Sequence, residues 1–382
     1  MKSFFIYSAG GGAGDWNGIK RVWNKHMPLN IKSRILLKFG DIFLEHSTGK
    51  RFVRLRRWAS INNLRDWLYE NTSDDFLLSP QSEILLDSGT SKAVNMIAYH
   101  NPNANCHELI EIFNKTFEDY NVFEKYVSVI CESLLNRAVT FDIPNPFKIR
   151  SQSTNTRLNI LEKESTHHLI SLSAEYSNIL YKEIKARMGN EFDNSVITTI
   201  INGTWSQSEI ELFLSKLDYN PFNSIAIGGL SSNTINANKV FSYLDILAPF
   251  RFDKADNLHF LGCGGIKKAQ AIKQYGYYGD NISVDCSTYI NRAIDGSIDG
   301  EAQSGYFDYN SKSLIRISPG TKQEILNLHS NFQTPLFSCD EMEDILNTIL
   351  LHQSNCSSNE TYDARAKLII HNADVFRHNI ES

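Results

Sequence analysis

The sequence predicts an α/β fold, a (β/α)8 TIM barrel with insertions and a helical C-terminal extension. Three observations carry that expectation. Short β-branched runs ending in a polar residue or a glycine recur along the chain. Most are separated by longer stretches of helical periodicity. The runs themselves are almost continuously apolar, as strands covered on both faces of a parallel sheet must be.

In chain order the expected strands are Phe4–Ser8, Ile35–Phe39, Glu83–Asp87, Val139–Asp142, Val196–Asn202, Ser224–Gly228, His259–Gly262 and Ile282–Asp285. Expected helices between them include Cys106–Ala138, Glu162–Arg187, Ser206–Leu217 and Lys267–Tyr275. Eight such units suit a barrel, and 382 residues suffice once insertions are allowed. A doubly wound open sheet would need a G-x-G-x-x-G turn with an acid about 20 residues on. The cluster Gly10-Gly11-Gly12-Ala13-Gly14 lacks that spacing, and Gly49-Lys50 is followed by Arg51 where a P-loop needs a hydroxyl residue. Both read as turns. Residues 43–68 read as a basic insertion with a hairpin-like stretch around Ser47-Thr48-Gly49. Residues 295–318 read as a small β excursion and 335–382 as a helical C-terminal subdomain, within one barrel-type domain spanning 1–382.

Composition narrows the class further. With 42% hydrophobic and 21% charged residues and 9 prolines, the chain is neither disordered nor low-complexity. No apolar run nears the roughly 20 residues that cross a bilayer, so no membrane partner is expected. The N-terminus has no signal-peptide core, and a cytoplasmic location is expected. The six cysteines are scattered without a C-x-x-C and read as reduced thiols. Net charge is -5, from 38 basic and 43 acidic residues, so any nucleic-acid surface must be local.

Barrel chemistry is built on the loops after the C-terminal ends of the strands. There the sequence offers Asp87, Asp142, Asn202, the pair Gly228-Gly229, and Asp285. An aspartate after a buried strand also serves as a helix N-cap, but three among eight strand ends exceed what capping explains. Paired carboxylates suit chemistry at an anomeric carbon, one attacking C1′ and another moving the proton. A third can accept N–H donors from a purine edge, and bare glycine backbone lets a flat base approach closely. Metal-dependent hydrolases also gather acids at a barrel mouth but add histidines, which these strand ends lack.

Two basic groups stand out. Gly262-Cys263-Gly264-Gly265 leads into a helix carrying Lys267 and Lys268, which is either a tight turn or an anion cradle. Lys50-Arg51-Phe52-Val53-Arg54-Leu55-Arg56-Arg57-Trp58 is either a charged edge strand or a track for a nucleic-acid backbone, through Arg54, Arg56 and Arg57, with Trp58 to stack on a base.

Several pieces then coincide in order: Ile84-Leu85-Leu86-Asp87-Ser88-Gly89, Phe141-Asp142, Asn202-Gly203, Ala226-Ile227-Gly228-Gly229-Leu230, Leu258-His259-Phe260-Leu261-Gly262, Val284-Asp285-Cys286 and Ile370-His371-Asn372. From about residue 80 onward the chain thereby resembles the tRNA-guanine transglycosylase superfamily. Within it, the likeness is to the DNA-modifying branch, the DpdA-type DNA-guanine transglycosylases that insert 7-deazaguanines into DNA. The resemblance implies that Asp285 is the nucleophile at C1′ and Asp87 the general acid/base. Ser88 would line the pocket and Asp142 would read the base's Watson–Crick edge. Asn202 stands where the family usually has glutamine, Gly228 and Leu230 flank the pocket, and Gly229 would offer backbone to the base carbonyl. The implied reaction is base exchange of guanine for a preQ0-like 7-deazaguanine, with DNA as partner and no cofactor at the chemistry.

The departures also carry information. Thr90 and Ser91 stand where the tRNA enzymes have a further glycine and a stacking aromatic. Those enzymes hold a structural zinc through C-x-C-x-x-C and a later histidine. Here Cys339 and His371 sit near the outer positions, while Glu341 and Asp344 replace the middle thiolates and His352 and Cys356 have foreign spacing. Zinc is therefore not expected, and the loss of a subdomain that helps dock tRNA points toward DNA. The competing readings are the same exchange on tRNA, a retaining glycoside hydrolase on a similar barrel, and an inactive nucleic-acid-binding relative.

Overall fold

A computed structural model describes residues 1–6, 18–19, 21–22, 25–27, 33–46, 53–55, 62–65, 82–101, 104–119, 121–143, 158–231, 235–294, 304–351 and 358–381. Its strands are β1 (Lys2–Ile6), β2 (Arg34–Lys38), β3 (Leu44–His46), β4 (Val53–Leu55), β5 (Glu83–Asp87), β6 (Arg137–Val139), β7 (Ile197–Asn202), β8 (Ile225–Gly228), β9 (Leu258–Phe260), β10 (Ile282–Asp285), β11 (Gly305–Phe307) and β12 (Leu314–Arg316). Eight of them close a parallel barrel in the order β1-β10-β9-β8-β7-β6-β5-β2, ringed by helices. The expected fold is thus the observed one. Each expected barrel strand is present, Glu83–Asp87 and Ile282–Asp285 with the expected bounds and the others within three residues at either end. Among the described residues no helix is long and apolar enough to cross a membrane.

The chain divides into two compact units, one of Met1–Ile35, Leu68–Ser82 and Gly262–Ser382, the other of Leu36–Trp67 and Glu83–Leu261. In the second unit β5 to β9 pair in parallel, and the register sets Asn202 opposite Gly228. The strands are apolar throughout: Ile84, Leu85 and Leu86 of β5 are fully buried. After β6, Phe141 enters an aromatic cluster, its ring 5.2 Å from Phe117, 5.4 Å from Tyr126 and 5.8 Å from Tyr176. Burying one such ring stabilises by about 2–3 kcal/mol, which pins the segment that carries Asp142. Tyr126 ties two strand ends together, its hydroxyl donating to Val139 O at 2.6 Å and lying 3.3 Å from Leu86 O.

The helices here start where local chemistry permits. Asn105 and Glu108 form a capping box for Cys106–Phe117, and Ser206 and Glu209 form another for Gln207–Ser215. The expected single helix 106–138 is instead two, Cys106–Phe117 and Val122–Ser133. Asn121, with φ 55° in the left-handed region, turns the chain between them. The apolar period resumes on the far side, which is why the sequence reads as continuous. Thr90–His100 begins at Gly89, whose φ of 70° and approach to Gly40 N leave no room for a side chain: an added Cβ would lie 2.3 Å away.

Inside the expected insertion 43–68, β3 and β4 form an antiparallel hairpin with Glu45 opposite Arg54. Arg56, Arg57 and Trp58 lie outside the described residues.

In the first unit β1 runs parallel to β10 with Phe4 opposite Asp285. The expected excursion 295–318 contains the hairpin of β11 and β12. The expected C-terminal subdomain is helical over Cys339–Leu351 and Asn359–Glu381. Asn359–Glu381 grips the hairpin through buried polar groups: Asn372 Oδ1 accepts from Phe307 N at 3.0 Å, and its Nδ2 donates to Gly305 O at 3.0 Å. His371 Nε2 donates to Phe307 O at 2.9 Å, while its ring stacks on Tyr306.

Candidate active site

Asp142 is the most unusual group in the second unit. Only 7% exposed, it holds one oxygen against Asn202, whose Nδ2 donates to Oδ2 at 3.4 Å, and its Oδ1 has no hydrogen-bond partner. Burial pushes its carboxyl up to about 6, the Asn202 amide pulls it back, and the charge of Asp87 pushes it higher still. A buried acceptor left without a donor costs about 1–3 kcal/mol. A ligand bringing an N–H to Oδ1 recovers that cost. Gly228 keeps the approach open, since a Cβ there would sit 3.5 Å from Asp142 Oδ2 and 3.1 Å from Ile200 Cδ1.

Asn202 is itself fixed. Its Oδ1 accepts from Thr204 N at 3.0 Å and Thr204 Oγ1 at 2.7 Å. Gly229, with φ 80°, lies so close that an added Cβ would fall 2.4 Å from that oxygen. Leu230 is fully buried and packs against Gly203.

Asp87 ends β5, and one of its oxygens accepts from Gly89 N at 3.2 Å in a tight turn. Ser88 is 3% exposed, and its hydroxyl pairs with that of Thr90 at 2.8 Å. Thr90 therefore fixes the serine hydroxyl.

In the first unit Asp285 ends β10 and is 3% exposed. Its Oδ1 accepts from Gly262 N at 2.7 Å, and its carbonyl accepts from Gly264 N at 2.6 Å. A Cβ at Gly264 would lie 2.9 Å from that carbonyl, so the glycine turn is what allows the loop to close over the aspartate. Cys263 and Cys286 are buried beside it. Burial pushes both thiols up, Cys286 to about 11, which keeps them neutral and poor nucleophiles. Lys267 is exposed, whereas Lys268 is half-buried with its ammonium pushed below the ordinary range by desolvation.

The structure thus brings Asp87, Asp142, Asn202, Gly228 and Gly229 to neighbouring strand ends of one unit, and gathers Asp285 with the Gly262–Gly265 turn in the other. Asp87 and Asp285 are each the last residue of a strand in the same parallel barrel. Asp142 departs from expectation by lying three residues beyond β6, held by Phe141. Sequence reasoning missed Thr204 and Tyr126. An Asn-Gly-Thr turn signals the first, and nothing local signals the second.

Of the residues weighed for a zinc site, His352 and Cys356 lie outside the described residues. His371 spends Nε2 on Phe307 O, Cys339 is exposed, and Glu341 accepts from Ser338 N at 2.9 Å at a helix start. Among the described residues no group of three or more His, Cys, Asp or Glu could hold a metal ion. A cleft of about 510 Å³ opens at the other ends of the strands, lined by Glu83, Asn136, Arg137, Asp193 and Asn257. Glu83 and Arg137, which form an ion pair, are the first residues of β5 and β6. Conserving the sheet is the usual business of that face, and barrel chemistry is built at the opposite one. No family model matches the chain, and no curated protein is similar to it in sequence.

Proposed function

We propose that the protein is a guanine transglycosylase acting on DNA, exchanging guanine for a 7-deazaguanine base such as preQ0. The observation that supports this reading best is the buried, unpartnered oxygen of Asp142 beside the bare backbone of Gly228 and Gly229. A guanine-type edge carries adjacent N–H donors suited to such an acceptor. The order of strand-end motifs resembling the transglycosylase superfamily supports the same reading.

In the proposed reaction an Asp285 oxygen attacks C1′, the C1′–N9 bond breaks, and a glycosyl ester forms as guanine departs. Asp87 delivers a proton to the leaving base. It then takes one from the incoming 7-deazaguanine, whose ring nitrogen attacks C1′ and releases Asp285. Gly262 N–H holds one Asp285 oxygen, which orients the carboxylate and steadies it when it leaves again.

The direct test is incubation with labelled preQ0 and either DNA or tRNA. Label is expected in DNA. Label only in tRNA would move the reading to the tRNA enzymes, and label in neither polymer would overturn it.

The basic insertion is assigned to the DNA backbone on charge alone. Reversing charge at Arg54, Arg56 and Arg57 is expected to weaken DNA binding and flatten the dependence of log K on log salt by about 2–3, at about 0.9 per lost phosphate contact. An unchanged slope in a titration from low to moderate salt would return the insertion to a solvated edge.

A further inference from the structure

We propose that Thr204 is a positioning residue of the candidate site: by occupying the Asn202 carbonyl it turns the Asn202 amide nitrogen toward Asp142, and so decides which Asp142 oxygen faces a ligand. The orientation stands on geometry alone; its consequence for base recognition rests on the reading proposed above.

An asparagine side chain is nearly symmetric in shape, and only its hydrogen-bond partners choose between its two ends. Here both Thr204 donors, the backbone N–H at 3.0 Å and the hydroxyl at 2.7 Å, converge on Oδ1. Gly229 leaves that oxygen the space it occupies, since any Cβ would intrude to 2.4 Å. The NH2 end is thereby directed to Asp142 Oδ2, leaving Oδ1 as the acceptor for a ligand. Were the amide reversed, its carbonyl would face the carboxylate, two acceptors in contact.

The groups around Asp142 leave few other controls. From β5, Asp87 acts on it through like charge. From the helix Val122–Ser133, Tyr126 is occupied with the carbonyl of Val139. From the helix Leu158–Met188, Ser173 Oγ accepts from Ile143 N. Thr140 Oγ1 accepts from Ile200 N at 3.1 Å and its hydroxyl also pairs with Tyr219. Among the described residues Asn202 is the side-chain donor that reaches the carboxylate, and Thr204 is what aims it.

The test follows the Asp142 carboxyl carbon by NMR across pH in the full chain, identified by its absence in Asp142→Asn, together with preQ0 affinity measured by calorimetry. Thr204→Val keeps the shape and one donor but removes the hydroxyl. Its Asp142 is expected to titrate at higher pH, and preQ0 binding at pH 7 to fall about five-fold, the worth of one hydrogen bond. Thr204→Ser should restore both. Asn202→Asp, which puts an acceptor against Asp142, should raise the titration further and weaken binding at least ten-fold. Wild-type titration and affinity in Thr204→Val, or failure of the serine to rescue, would overturn the assignment. If the titrations move as expected while even the wild type binds no preQ0, the positioning role stands and the transglycosylase reading falls.

Discussion

Replacing Asp285 by asparagine is expected to abolish base exchange, by about 10⁴-fold or more, because a neutral amide cannot form the glycosyl ester. The substitution is chosen to leave the loop intact. Asparagine keeps an oxygen for the Gly262 N–H and fills the same buried volume beside Cys263 and Cys286. Far-UV circular dichroism and thermal unfolding should therefore match the wild type while label transfer from preQ0 disappears. Asp285→Ala should lose exchange equally but also strand the Gly262 donor, so its fold is the less secure control. Wild-type turnover in either variant would remove Asp285 as nucleophile.

Asp142→Asn is expected to move stability and binding in opposite directions. The carboxyl titrates near 3.8 in an unfolded chain and at about 6 in the folded one. Between those values the unfolded state ionises and the folded state does not, so the native state loses stability as pH rises, and the penalty is complete above about 6. At about 1.4 kcal/mol per pH unit, a difference of about two units is worth about 3 kcal/mol. Asparagine never ionises. The variant should therefore unfold at higher temperature than the wild type at pH 7.5 and show little advantage at pH 4. Its amide puts an NH2 where the ionised Asp142 offered only acceptor oxygens, so affinity for a guanine-type base should drop about 100-fold. Equal unfolding shifts at both pH values, with preQ0 binding retained, would take Asp142 out of the site.

How much of this was legible in the chain differs from residue to residue. Asp87 and Asp285 could be read directly, because each ends an apolar run whose period marks a buried strand. Asp142 was legible as an acid near a strand end. Its true setting depends on Phe141 meeting Phe117 and Tyr126 from other helices, which no local pattern records. The break at Asn121 was hidden because apolar periodicity continues on both sides of it. His371 drew notice by its position alone, and only the fold shows that its Nε2 holds β11.

By itself the sequence determined the barrel and the acids at its strand ends, since β-branched apolar runs, capping residues and glycine turns act through near neighbours. Tertiary structure alone decided that Asp142 keeps an oxygen without a partner, that Asn202 presents its nitrogen to it, and that Thr204 enforces the choice. The Asp142–Asn202 pair spans 60 residues of chain. Desolvation and hydrogen-bond pairing depend on which distant side chains arrive together, and the pairing of β6 with β7 brings these there.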